Sequence, residues 1–96
     1  MRIALVIGST VSTIKDEALR GRKLLIVRAA DTTGTPTGEP YIAVDTVSAG
    51  TGDLVIVTEG SSARYTGLTQ NASVDSVIVG VIDSLESGGK FTYKKQ

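Results

Sequence analysis

The chain has 96 residues, ten Lys and Arg against ten Asp and Glu, and neither cysteine nor histidine. That length makes a single domain, residues 1–96, which buries only about 60 to 65% of its unfolded surface, so association into an oligomer is the expected source of further stability. The composition excludes a disulfide scaffold, thiolate chemistry, the usual zinc sites and the Ser-His-Asp and Cys-His arrangements, and zero net charge provides no global field toward nucleic acid or an anionic membrane.

Apolar residues fall in short β-branched runs separated by Gly, Thr, Asp and Pro, the pattern of an all-β domain. The opening "MRIALVIGS" has too brief an apolar run for a signal segment or a membrane span and reads as the start of a strand over Ile3–Ile14. Strands follow at Lys23–Ala30 and Tyr41–Val47, with "DTTGTPTGEP", Asp31–Pro40, as a turn-rich loop between them. After "SAGTGD" comes a strand at Leu54–Thr58, and then Ser61 or Ser62 caps one or two helical turns that Gly67 stops. "SVIVGVIDS", Ser76–Ser84, is the last long strand, with Gly80 marking a bulge or a barrel bend. "ESGGK", Glu86–Lys90, is a hairpin turn leading to a short edge strand at Lys90–Lys94. Five strands with one short helix between the fourth and fifth predict a small closed or partly closed barrel, with a sandwich as the competing architecture.

The charges are unevenly placed. Up to Arg28 there are six basic and two acidic residues, from Ala29 to Gly89 there is one basic residue, Arg64, against eight acidic, and the tail adds Lys90, Lys94 and Lys95. This polarity suits the pairing of one subunit's flank with another's, but the general weakness of surface ion pairs favours reading it as two differently charged solvated faces. Arg64 is expected either to pair with a carboxylate, in its own subunit or the neighbour's, or to be freely solvated as surface arginines commonly are.

"SAGTGD" fails as a phosphate cradle, because Gly52 is followed by Asp53 and a strand where a Walker loop needs Lys, a hydroxyl residue and a helix. Asp45, Asp53, Asp75 and Asp83 sit near strand ends, where Asp ordinarily bonds its own backbone, and no His, Cys or metal motif accompanies them. A barrel also raises single-stranded nucleic-acid binding, which needs stacking aromatics and a basic groove. The aromatics here are Tyr41, Tyr65, Phe91 and Tyr93, and only the last two lie near lysines. No catalytic residue, cofactor or metal ligand is therefore expected.

Read together, "GSTVSTIKDEALRGRKLLIV" at Gly8–Val27, "AVDTVSAGTGDLVIVTEGSSAR" at Ala43–Arg64 and "VDSVIVGVIDS" at Val74–Ser84 resemble the EutN/CcmL family of bacterial microcompartment shell vertex proteins. The resemblance covers nearly the whole chain and rests on "AVD", "AGTGD", "GSSAR" and "VGVID" in this order. It implies an all-β, five-stranded OB-like barrel with one short helix, assembling as a cyclic homopentamer that closes five-fold corners of a polyhedral shell in the bacterial cytoplasm. The implied role is structural, and the implied partners are hexagon-forming shell proteins, with neither nucleic acid nor membrane.

The resemblance places Ser48, Ala49, Gly50, Thr51 and Gly52 around the five-fold opening, and makes Arg64, Asp45, Ser61 and Ser62 candidates for the subunit interface. At such an axis each residue meets copies of itself, so small uncharged side chains let the backbones approach. The chain departs from the family's usual Gly-Ala-Gly at Ser48-Ala49-Gly50 and from Pro-Val-Asp at Ser73-Val74-Asp75. The first change adds a hydroxyl to the loop, and the second removes a rigid lead into the last long strand.

Overall fold

The computed structural model describes residues 1–11, 21–60 and 75–95. They contain β1 (Arg2–Ser9), β2 (Lys23–Ala30), β3 (Pro36–Asp45), β4 (Leu54–Glu59), β5 (Ser76–Val81), β6 (Ser84–Ser87) and β7 (Lys90–Lys94). The first five close into a barrel in the order β1-β2-β3-β5-β4, and β6 and β7 form a separate two-stranded sheet. The β3–β5 pair that completes the circuit is parallel and short, joining Val44 to Val77 and Asp45 to Ile78.

Alternation explains the core. Ala4 and Val6 of β1, Leu25 and Val27 of β2, Ala43 of β3, Val55 and Val57 of β4 and Ile78 of β5 all point inward as one buried cluster. Each fully buried Val, Leu or Ile contributes roughly 1.5–3 kcal/mol by leaving water, and β-branched side chains fit the pleated wall of a small barrel. Near the start of β1, Arg2 forms an ion pair with Glu59 and places its guanidinium 4.7 Å from the centre of the Tyr41 ring. Burial holds the Tyr41 hydroxyl above its ordinary pKa.

Besides the end of β3, which falls at Asp45 and not at Val47, the predicted boundaries need three corrections. β1 stops at Ser9 and not at Ile14, with Thr10 and Val11 outside the strand. The segment Asp31–Pro40, expected to be a loop, is a tight turn followed by the first half of β3, paired with β2 from Ala30↔Pro36 to Arg28↔Pro40. Prolines are tolerated there because β3 meets β5 only at Val44 and Asp45, so its first half is a sheet edge where a missing N–H costs nothing in the ladder. The turn is fixed by Asp31, whose Oδ1 accepts from Thr33 N at 2.9 Å, Thr33 Oγ1 at 2.6 Å and Thr35 N at 3.1 Å. These bonds to the ionised form hold its carboxyl below the usual range.

The third correction is that Ser76–Ser84 divides, with β5 ending at Val81 and β6 beginning at Ser84. The irregularity expected at Gly80 is present, since the β4–β5 register shifts between Ile56↔Gly80 and Val57↔Ile78. "ESGGK" is a two-residue hairpin turn between paired Ser87 and Lys90, with Gly88 and Gly89 at φ 61° and 78°. The predicted helical turns from Ser61 to Gly67, and with them Ser61, Ser62 and Arg64, lie outside the described residues.

Candidate functional site: the loop between β3 and β4

The loop 46–53 is organised by the residue that precedes it. Asp45 ends β3 with its carboxylate buried, and its Oδ1 accepts hydrogen bonds from Val47 N and Ala49 N, both at 3.1 Å. Lys23, paired with Asp45 across the β2–β3 ladder, brings its Nζ to 3.5 Å from Asp45 Oδ2 and donates to Ala49 O at 2.8 Å. One lysine and one aspartate thus satisfy both backbone ends of residue 49. On the far side, Thr46 Oγ1 donates to Ile78 O at 2.7 Å, fixing the loop to β5.

The second half is held in the same manner. Asp53 Oδ2 accepts from Gly50 N at 2.9 Å, Asp53 N donates to Gly50 O at 3.0 Å, and Gly52 N donates to Val6 O at 2.8 Å. Lys95, beyond β7, lies 3.7 Å from Asp53 Oδ1, so the terminal hairpin reaches the loop. Each of the two aspartates that frame the loop gives one carboxylate oxygen to backbone amides and turns the other toward a lysine, a structural use of both side chains.

Within this frame the sequence-predicted residues take different positions. Ser48, Thr51 and Gly52 are exposed, and Gly50 is half-buried. Ala49 is not at the loop surface: its side chain is wholly buried in the barrel core. The expectation that Ala49 meets its copies around an opening is corrected on that ground, since its methyl group is already enclosed by its own subunit. Asp45 likewise has its carboxylate engaged inside its own chain, with the loop amides and Lys23 as its partners. Ser48 stands at φ 61°, in the left-handed region where an L side chain is strained.

Lys23 was not singled out from the sequence. Its role depends on a ladder partner 22 positions away, and no local pattern signals that pairing. Two open depressions border the loop, one of about 420 Å³ lined by Thr51, Gly52, Asp53, Tyr93, Lys94 and Lys95 and one of about 170 Å³ bounded by Arg22, Lys23, Asp45 and Ser48. Neither holds an activated nucleophile, and among the described residues no group of three or more His, Cys, Asp or Glu is placed to hold a metal.

A barrel carrying this clamped small-residue loop matches the family described as "Ethanolamine utilisation protein EutN/carboxysome" over residues 1–83. The chain belongs to the EutN/CcmL family. The bacterial microcompartment shell vertex protein EutN of Salmonella typhimurium is 37% identical over 95 residues, covering 99% of this chain and 96% of that protein. The solved CcmL of Gloeobacter violaceus superposes with a TM-score of 0.90 at 33% identity, covering 99% of this chain and 98% of that one. GrpN of Rhodospirillum rubrum, solved as a pentameric microcompartment shell protein, gives a TM-score of 0.79 at 42% identity over 91% of this chain and 99% of its own. For a EutN/CcmL member the fold is the expected one, and the family is structural rather than enzymatic.

Proposed function

We propose that this chain is a non-enzymatic structural subunit of a bacterial microcompartment shell, built as a cyclic homopentamer that closes a five-fold vertex. The observation that carries the reading is the near end-to-end likeness to the pentameric GrpN and to the vertex protein EutN. Ser48, Gly50, Thr51 and Gly52 are the residues that suit the rim of the five-fold opening, with Lys23 and Asp45 holding the loop from behind. Hexagon-forming shell proteins are the fitting neighbours at the facets. The site of action is the shell, in the bacterial cytoplasm.

The nucleic-acid alternative draws no support from the relatives. Among the described residues there is also no stacking platform, because Tyr93 lies against Gly34 and Tyr41 packs on the core, which leaves Phe91 as the exposed ring. Native mass spectrometry tests the proposal: the expected species has five times the 10.0 kDa chain mass. A monomer at micromolar concentration contradicts it.

A further inference from the structure

A barrel strand with one face in water alternates apolar inside and polar outside, while a strand covered on both faces reads as a continuous apolar run. β2, "KLLIVRAA", is of the second kind. Its Leu25 and Val27 point into the core, yet its outward residues Leu24 and Ile26 are apolar as well. In the ladders Ile26 stands opposite Ile42 of β3 and opposite Gly8 of β1, where the register shift leaves Ile7 as the extra residue. The result is a row of isoleucines, Ile7, Ile26 and Ile42, across three neighbouring strands, with Ile7 and Ile42 40% and 45% exposed. Beside it Arg28 donates from Nε to Gly38 O at 2.7 Å and, among the described residues, forms no ion pair with a carboxylate.

We propose that this isoleucine face receives the next copy of the chain in the ring, with Arg28 seating an acidic side chain of that copy. The inference rests on the pentameric reading above and assigns one of its two contact surfaces. A closed ring joins each subunit to the next through two different surfaces, so one face must accept what another presents. Charge points to a second copy as the occupant: Arg22 and Arg28 flank the row on β2 and its lead-in, whereas Glu39, Asp75, Asp83 and Glu86 are exposed carboxylates that form no ion pair among the described residues. An apolar row flanked by arginines thus finds its complement in exposed carboxylates of another copy, and a charge beside an apolar contact fixes register as well as adding attraction.

The experiment compares the wild type with Ile42→Arg, Ile42→Thr, Arg28→Glu and the control Phe91→Arg by native mass spectrometry and sedimentation, with circular dichroism reporting the fold. Phe91 is a comparably exposed apolar residue on β7, away from the isoleucine row. Ile42→Arg and Arg28→Glu are expected to give folded subunits whose ring dissociates at a concentration at least ~30-fold higher, the effect of losing a central contact, while Phe91→Arg assembles like the wild type. Ile42→Thr keeps the β-branch and is expected to give a smaller shift in the same direction, which decides the matter if Ile42→Arg does not fold. Rings of wild-type stability in Ile42→Thr and Arg28→Glu overturn the assignment of the face while leaving the pentamer intact, as they would if a facet protein were the occupant. A monomeric wild type overturns the pentameric reading itself.

Discussion

The turn 87–90 and the loop 46–53 are both glycine-rich connections between strands, and they differ in what the glycines answer to. At Gly88 and Gly89 the backbone is left-handed and the turn has two residues, so local geometry alone demands glycine. In the loop, Gly52 at φ 93° has the same explanation, but Gly50 does not. Its φ lies outside the left-handed region, and a Cβ built there would meet no atom of its own chain within 4 Å. Ser48 is the reverse case, a side chain where the backbone favours glycine. A hairpin turn is therefore explained from within, whereas the loop carries one glycine that nothing inside the subunit requires, which suits close approach by another chain.

Within the loop the largest effect is expected at Ala49. Replacing this enclosed methyl group by Glu or by Gln is expected to cost roughly 3–5 kcal/mol and to unfold the subunit in both variants, because each forces a large polar side chain into the core. Equal loss of the folded signal by circular dichroism checks this, and a folded Ala49→Gln subunit would show that the residue is not core. A smaller contrast separates the glycines. Gly89→Ala should lower subunit stability by about 1 kcal/mol through its left-handed backbone, while Gly50→Ala should leave the melting of the isolated subunit unchanged. An effect of opposite sign is expected for Ser48→Gly, which relieves the strained φ and raises stability by roughly 0.5–1 kcal/mol in chemical denaturation.

Much of this fold was legible in the sequence because barrel strands announce themselves as β-branched runs and tight turns by paired glycines. Lys23–Ala30 and the Gly88-Gly89 turn lie as expected, and the irregularity at Gly80 follows from a glycine in a strand. The first half of β3 was hidden because its two prolines and Gly38 are turn formers, and only pairing along a free edge makes them a strand. Ala49 was misplaced for a related reason: a single alanine among small loop residues has no period to show which way it points. The Lys23–Asp45 clamp depends on the β2–β3 register, a long-range property. The vertex role was legible only through the resemblance of several motifs in order, since neither charge nor composition distinguishes an axis loop from any tight turn.

The claim that the loop surrounds a five-fold opening is tested most directly by Thr51→Glu against Thr51→Gln, at an exposed position whose two variants differ in charge and hardly in size. In a ring, each close pair of added carboxylates costs about 1 kcal/mol in water and more where solvent is thin, a penalty the lone subunit does not feel. Native mass spectrometry should find Thr51→Gln pentameric throughout and Thr51→Glu partly dissociated at low salt, with the ring restored as salt screens the charges. Equal pentamer stability of the two variants at low salt would contradict the placement of the loop at the axis.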